Sequence, residues 1–358
     1  MRVGLYSPYL DTFGGGERYV LTVAEILSKL IKVDLLFDNH LFKIGAEGLK
    51  NDLARRFNLE LSFVKCVKAP LGKGSNILER LFFLRKYDLL FYLTDGSIFY
   101  STARKNIVHI QSPLAGEPTK SLWGKFKLHN WDLIIYNSEF TKINSQKNWP
   151  INSIVIYPPV DTEKIKPLEK KKYILSVGRF FGYLKDKKQG LLIETFKNLY
   201  KKNNLKDWSL HLAGSANQGD LDYLNQLRNE AGKFPVKFYP NLDYSELIKL
   251  YGESSIYWHA AGFGEEDPTK MEHFGISTVE AMSGGVVPVV IGKGGQTEIV
   301  DQGKSGFLWN NLNELEDFTY ELINDYHLWK RISEAAKEKS KIFGKQKFAG
   351  KINELINK

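Results

Sequence analysis

Two glutamates lie close together in an otherwise basic chain, in the stretch MEHFGISTVE (271–280). Glu272 and Glu280 enclose a Phe-Gly pair and are separated by seven residues. Paired carboxylates can act as a general acid and a general base, but Glu272 precedes a predicted helix and Glu280 lies within it, so we expect the two to lie on either side of a ligand instead. The run that follows has helical spacing, and the free N–H groups at its start predict a site for an anion. The stretch therefore predicts a ligand site that joins carboxylates to a helix N-terminus.

A second stretch, SVGRFFGYLKDKKQG (176–190), supplies cations. The strand that precedes it would place Arg179 at its carboxyl end, and Lys187 follows eight positions later, just before the next helix. A guanidinium and an ammonium that converge form a clamp for a diphosphate, because arginine binds bidentately and lysine acts as a compact charge. The alternative for Lys185, Lys187 and Lys188 is a solvated loop, which suits at least two of the three.

Two glycine-rich loops lie where a strand gives way to a helix. GGGER (14–18) follows the first strand, and GKGGQTE (292–298) has the same arrangement with Thr297 as the expected helix N-cap. Glycines there allow close approach of a ligand to the backbone, although a tight turn alone is the alternative. Neither loop has the spacing of the dinucleotide fingerprint or of the P-loop, so nicotinamide and P-loop chemistry are not indicated.

Composition describes a globular protein with a basic surface. The 358 residues suit two domains, and 43% are hydrophobic and 25% charged. Fifty Lys and Arg against 41 Asp and Glu give a net charge of +9, which indicates an anionic partner or a merely solvated basic surface. Cys66 is the single cysteine, so we expect no intrachain disulfide and a reducing compartment. The chain starts without a signal-peptide pattern and has no long apolar run, so a cytoplasmic protein is expected.

Short apolar runs alternate with longer amphipathic segments, which predicts parallel sheets covered by helices on both faces. The predicted strands are 2–7, 32–37, 60–65, 88–93, 106–111, 132–137, 153–158, 173–178, 208–214, 236–240, 255–260 and 287–292. The fold class is α/β, with two Rossmann-like domains that share a ligand cleft at the carboxyl ends of their strands. The predicted parts are an N-terminal domain (1–158), a linker (159–172), a C-terminal domain (173–340) and a C-terminal helix (341–358), for which packing on the N-terminal domain is an option.

Taken together, these motifs resemble the retaining glycosyltransferases of the GT-B fold, in the large family 4 group that uses nucleoside diphosphate sugars. The resemblance covers nearly the whole chain. It rests on GGGER, on the histidine in NIVHIQSP, on YNSEFT…VIYPPVD, on SVGRF…KKQGLLIETF, and on EHFGISTVEAMSGGVVPVV with GGQTEIV…GFLW. No single motif is decisive, and the ordered set is specific. An insertion relative to the family pattern, GFGEEDPTK (262–270), is expected to contribute to an acceptor lid.

The resemblance implies a role for each matching residue. Arg179 and Lys187, with Lys188 as the neighbouring option, would bind the diphosphate of the donor and stabilise the leaving group. Glu272 would accept hydrogen bonds from hydroxyls of the donor sugar, and Glu280 from those of the ribose. The remaining implied site residues are the donor contacts Gly15, Gly16, Phe274, Gly275 and Ile276, and His109 beside the sugar. The N-terminal domain would bind the acceptor and the C-terminal domain the nucleotide sugar.

The resemblance also implies the reaction. It is the transfer of a hexose with retention to a glycan or lipid-linked acceptor, as in polysaccharide biosynthesis, without a metal or another cofactor. The donor would be GDP-mannose, weakly favoured, or a UDP-hexose. A nucleotide-sugar epimerase and a non-catalytic nucleotide-sugar-binding subunit are the alternatives. Asp95 in LTDG is interpreted as a turn residue, not as a metal ligand.

Two segments of the sequence combine basic and large apolar residues. Segments 65–86 and 121–131 mix basic residues with Leu, Phe and Trp, which suits either contact with an anionic inner membrane face or ordinary core packing. No recognition motif for nucleic acid accompanies the basic charge, so a nucleic-acid partner is not expected.

Overall fold

The computed structural model describes residues 1–114 and 120–357, so Lys358 of the predicted C-terminal helix lies outside the described part. The chain forms two compact units, of which the first contains Met1–Pro159 together with the chain from Phe348 onward, and the second contains Val160–Lys347. The segment predicted as a linker, 159–172, therefore belongs almost entirely to the second unit.

The first unit contains a seven-stranded sheet in the order β3-β2-β1-β4-β5-β6-β7, in which every pairing is parallel. Its strands are β1 (Arg2–Tyr6), β2 (Lys32–Phe37), β3 (Val64–Lys68), β4 (Leu89–Leu93), β5 (Lys105–Ile110), β6 (Leu133–Tyr136) and β7 (Ser153–Val155). Its helices are α1 (Gly15–Ser28), α2 (Asn39–Phe57), α3 (Ile77–Leu84), α4 (Leu122–His129) and α5 (Glu139–Ser145). The central strands are buried on both faces, as crossover helices on a parallel sheet require.

The second unit repeats the plan with six parallel strands in the order β10-β9-β8-β11-β12-β13. Its strands are β8 (Tyr173–Val177), β9 (Ser209–Gly214), β10 (Val236–Pro240), β11 (Ile256–His259), β12 (Val287–Ile291) and β13 (Phe307–Trp309). Its helices are α6 (Gln189–Asn203), α7 (Leu221–Ala231), α8 (Tyr244–Glu253), α9 (Ile276–Ser283), α10 (Gln296–Ile299), α11 (Leu312–Asn324) and α12 (Tyr326–Ser340). Helix α13 (Lys345–Asn357) follows, and its Phe348 and Ile352 are buried in the core of the first unit.

The strand order reverses direction beside the first strand of each unit, as in Rossmann-like sheets, so two parallel-sheet domains of this class are confirmed. Three strands differ from the sequence prediction by more than a residue at either end. Strand β7 ends at Val155, not at residue 158. Strand β3 begins at Val64, not at residue 60, because the Val64 N–H bonds to the carbonyl of Leu61 in a preceding turn. Strand β13 was missed because its three residues are too few to show a pattern. No helix in the described ranges is long and apolar enough to cross a bilayer.

Candidate functional site

The loop after β8 carries the two predicted cations. Strand β8 ends at Val177, and Arg179 follows at the carboxyl edge of the sheet, where open α/β sheets bind ligands. Its carbonyl accepts a hydrogen bond from Gln189 Nε2 at 3.0 Å, which fixes the loop to the first turn of α6. The stem of Lys187 crosses the same strand end: a Cβ added to Gly178 would lie 2.8 Å from Lys187 Cγ. Glycine is therefore needed at 178 for the lysine to reach its partner.

That partner is Glu272. Lys187 Nζ donates to Glu272 Oε2 at 2.8 Å, and His259 Nε2 lies 3.0 Å from the same oxygen. His259 is the last residue of β11, which pairs with β8, so the sheet order brings the three side chains together. Because burial alone would raise the pKa of Glu272, the charge of Lys187 and the hydrogen bond from His259 must outweigh it to hold that pKa well below the ordinary value. We call Lys187, Glu272 and His259 the carboxylate cluster.

Lys187 is held in its charged form by the same contact. Burial lowers its pKa, and the carboxylates of Glu272 and Asp186 raise it by more, so that the pKa lies above the ordinary lysine value. Both members of the pair are therefore ionised at neutral pH. The arrangement offers a fixed carboxylate oxygen and an ammonium at one edge of the sheet.

The neighbouring Lys188 has a different partner from Lys187. It lies at the N-cap position of α6 with φ +55, and its Nζ donates to Glu265 Oε1 at 2.7 Å. Glu265 belongs to the insertion 262–270, and Lys293 donates to its backbone carbonyl at 2.8 Å. The sequence did not distinguish Lys187 from Lys188 as the lysine of the diphosphate clamp. In the structure Lys187 belongs to the carboxylate cluster, whereas Lys188 binds the insertion 262–270 through Glu265.

The start of α9 provides amides beside this cluster. Gly275 caps the helix with φ +119, a conformation that favours glycine, and Phe274 immediately before it is buried. The helix begins at Ile276, and its first N–H groups have no acceptor within the helix, as at every helix N-terminus. Gly295 N donates to the carbonyl of Glu272 at 2.8 Å, which holds the 292–295 loop against this segment. Thr297 is not the N-cap of α10 as predicted; Gly295 is, because its close packing on 272–274 starts the helix two residues earlier.

Glu280, the second glutamate of the stretch 271–280, lies within α9. It is buried, and Tyr251 OH on α8 donates to its Oε2 at 3.0 Å. Glu272 and Glu280 therefore contact different side chains, and the separate roles implied for them stay predictions. Tyr251 was not singled out from the sequence; a buried tyrosine in an amphipathic helix gives no signal beyond core packing.

In the first unit, α1 starts at Gly15 after a cap at Gly14, whose N–H donates to Glu17 Oε2 at 2.7 Å. The side chain of Gln111 lies so close to Gly16 that a Cβ there would overlap it, with 1.9 Å to Oε1. A side chain at position 16 would therefore displace the amide end of Gln111, a residue that carries no signal in the sequence.

His109, which the family resemblance places beside the sugar, is a fully buried residue of β5. Its ring is fully buried, stacks on Tyr19 at 3.9 Å, and has Nδ1 3.0 Å from the carbonyl of Ile135. Burial lowers the pKa of His109 to about 3, so the ring is neutral. The contact with a sugar implied for it stays a prediction, and the described contacts are those of a core histidine.

Asp95 lies in a turn and contacts no other carboxylate in the described part of the chain. Asp95 accepts hydrogen bonds from Ser97 N at 2.9 Å and Tyr9 OH at 2.7 Å, as a turn residue does. Across the residues that the structure describes, no three His, Cys, Asp or Glu side chains gather as a metal site. Independence from metal remains a prediction.

Residues 160–339, half of the chain, match the family model for glycosyl transferases group 1. A GDP-Man:Man(3)GlcNAc(2)-PP-Dol alpha-1,2-mannosyltransferase of Dictyostelium discoideum is 26% identical over 234 residues, covering 59% of this chain and 44% of that protein. An uncharacterized glycosyltransferase of Methanocaldococcus jannaschii is 30% identical over 227 residues, covering 62% of this chain and 58% of that protein. The chain spans about half the length of the curated relatives it matches.

Several solved structures cover almost the entire chain. Anabaena HepE, in complex with UDP and glucose, has a TM-score of 0.70 at 18% identity and covers 99% of both chains. Sucrose-phosphate synthase of Thermosynechococcus elongatus has a TM-score of 0.72 at 16% identity, covering 100% of this chain and 98% of that one. At these identities the likeness describes the fold.

Proposed function

Because this chain belongs to the glycosyl transferases group 1 family and has the GT-B class of fold, we propose that it transfers a hexose from a nucleoside diphosphate sugar to an acceptor hydroxyl. The donor we favour is GDP-mannose, and the acceptor is a glycan or a lipid-linked glycan. The mannosyl preference is supported by relatives named as GDP-mannose-dependent mannosyltransferases. The alternative of a UDP-hexose is supported by the UDP bound to HepE.

The observation that carries the proposal is the carboxylate cluster beside the start of α9. Lys187 and Glu272 are 2.8 Å apart and both ionised, and amides at the start of α9 follow Glu272 in the chain. A carboxylate accepts from vicinal hydroxyls, whereas an ammonium and helix amides stabilise phosphate oxygens. The cluster thus supplies the two kinds of group that a sugar diphosphate needs.

The proposed reaction proceeds with retention. The bond between the anomeric carbon and the diphosphate oxygen breaks, while the acceptor oxygen forms its bond to that carbon on the same face. Arg179 and Lys187 stabilise the charge that develops on the leaving diphosphate, and a phosphate oxygen takes the proton of the acceptor hydroxyl. Glu272 orients the sugar, and Glu280 the ribose. No step requires a metal.

Such a reaction suits the assembly of polysaccharides or lipid-linked glycans on the cytoplasmic side of a membrane. The single cysteine supports a reducing compartment. Polysaccharide biosynthesis and this location are part of the proposal.

A thermal-shift panel of GDP, UDP and ADP with their hexose conjugates tests donor binding. The preferred nucleotide raises the unfolding temperature, because a ligand at about 100 times its Kd adds about 2.7 kcal/mol to the stability of the folded state. GDP and GDP-mannose should give the largest shift. No shift with any nucleotide would refute the site.

A product assay with the preferred donor then identifies the reaction. Release of free nucleoside diphosphate that depends on added acceptor supports transfer, and undiminished release in EDTA supports independence from metal. Isomerised nucleotide sugar without acceptor would identify an epimerase instead. Donor binding without turnover across an acceptor panel would favour the non-catalytic subunit.

A further inference from the structure

Two short helices of the first unit leave their large apolar side chains exposed. In α3 the side chain of Phe82 is 69% exposed, and in α4 those of Leu122 and Trp123 are 85% and 73% exposed. The other exposed apolar residues of these helices are Ile77, Leu78 and Phe126. Each helix buries only its last leucine, so most of the apolar face that a surface helix normally packs on the core is uncovered.

The two helices are joined through one intervening segment, 99–102. Thr102 Oγ1 donates to the carbonyl of Leu81 in α3. Two residues earlier, Tyr100 stacks on Phe126 of α4, with the ring centres 5.3 Å apart and the planes 7° from parallel. Both helices therefore contact the same stretch of backbone, and each exposes large apolar side chains. Large apolar side chains exposed on two helices that contact one segment are typical of an interaction site.

Cations surround the apolar residues. The exposed or half-exposed basic residues of the segments 73–86 and 120–129 are Lys73, Arg80, Arg85, Lys86, Lys120, Lys125 and Lys127. Glu79 is the single acidic residue in 73–86 and 120–129. In the part of the chain that the structure describes, no ion pair to a carboxylate forms at Lys73 or Lys125. We call the exposed residues of 73–86 and 120–127 the aromatic–basic patch.

We propose that the aromatic–basic patch docks on a phospholipid bilayer with anionic headgroups. Trp and Phe side chains enter the interface between headgroups and acyl chains, and lysines and arginines at the surface attract anionic lipid. Charge complementarity favours this occupant: a second copy of the chain would present the same cations and repel, whereas an anionic bilayer meets both the aromatic and the basic members. The proposal does not depend on the donor site in the second unit, so either can fail alone.

Flotation with lipid vesicles tests the proposal directly. The full chain should bind vesicles of phosphatidylcholine mixed with phosphatidylglycerol, bind pure phosphatidylcholine far less, and be partly released by high salt, which screens the cations. Trp123→Ser and the double change Phe82→Ser with Trp123→Ser should weaken binding by about tenfold or more. Lys125→Glu should weaken it by about fivefold or more at low salt. Unchanged binding in these variants would overturn the assignment of the patch.

Matched controls guard against a general effect of the substitutions. Tyr326 pairs with Trp329 on α12 as Trp123 pairs with Phe126, with ring centres 5.9 Å apart in both cases. Tyr326→Ser and Lys206→Glu should leave vesicle binding unchanged, and equal losses in them would overturn the proposal. Absence of binding to anionic vesicles at low salt would also overturn it. Self-association that Trp123→Ser abolishes, without vesicle binding, would assign the patch to a second copy of the chain.

Discussion

Gly294 offers the most exacting test of the donor site, because the chain contains a matched control. Gly294 has φ +63, and a Cβ added there would lie 2.3 Å from the carbonyl oxygen of Glu272. Gly303 has φ +69, and an added Cβ would meet nothing within 4 Å. Alanine at either position adopts the same left-handed conformation, and only Gly294→Ala also collides with the backbone of the carboxylate cluster.

The size of the two effects can be worked from these distances. The left-handed conformation costs an alanine about 1–2 kcal/mol, and both variants bear this cost. Ordinary van der Waals contact begins near 3.4 Å, so the backbone at 272 must move away from the new methyl group of Gly294→Ala. Forcing such a shift in a packed site costs a further 1–3 kcal/mol or so. We therefore expect Gly303→Ala to lower the unfolding temperature by a few degrees, and Gly294→Ala by roughly twice as much.

The same displacement should reach the ligand. The thermal shift produced by the preferred nucleoside diphosphate sugar should be preserved in Gly303→Ala and reduced in Gly294→Ala, since only the latter moves Glu272 and the start of α9. Equal losses of stability in the two variants, or an undiminished ligand shift in Gly294→Ala, would refute the inference that the 292–295 loop holds the carboxylate cluster in its binding geometry.

Three further changes test individual side chains. Arg179→Ala should lower kcat by about a hundredfold, since one lost transition-state donor costs ~3 kcal/mol; steady-state kinetics measures it, with Arg228→Ala on α7 as the control. Glu272→Gln should destabilise the chain at neutral pH. Because the folded pKa of Glu272 lies below its ordinary value of 4.5, this difference should shrink as pH falls through the lowered pKa, measured by urea unfolding. Tyr251→Phe should cost about 1.5–3 kcal/mol by removing the bond to Glu280, and should weaken nucleotide binding.

The expected effects of Arg179→Ala, Glu272→Gln and Tyr251→Phe can each be contradicted by one result. Unchanged turnover in Arg179→Ala would remove that guanidinium from the diphosphate clamp. A stability difference for Glu272→Gln that stays constant into acid would show that the carboxylate is not stabilised by its neighbours. For Tyr251→Phe the control is Tyr320→Phe, whose side chain is exposed, and equal effects would count against a role for the bond to Glu280.

Much of the scaffold could be predicted because local pattern encodes it. Strands such as β4 and β12 are buried along their whole length and appear in the sequence as unbroken apolar runs. The end of α9 at Gly284-Gly285 could also be predicted. Glycine readily adopts the left-handed conformation that ends a helix, and Gly285 has φ +71. The positions of Arg179 and Lys187 after β8 followed from the same alternation of strands and helices.

The pairings could not be predicted, because they depend on which strands become neighbours. Lys187 and Glu272 are 85 positions apart, and His259 reaches them only because β8 pairs with β11. Nothing local distinguishes Lys187 from Lys188, yet one binds Glu272 and the other Glu265. A sequence places a side chain on an element, whereas strand order decides what that side chain meets.

The same division holds at the surface. The sequence alone determined two Rossmann-like domains, glycine loops at helix starts, and a basic chain with aromatic residues around 65–86 and 121–131. Whether those aromatics belong to a core or face outward was open, since periodicity shows that a helix has an apolar face without showing what covers it. Only the tertiary structure decided that Phe82 and Trp123 lie uncovered while Trp131 is buried, because burial depends on how the elements of the whole unit pack.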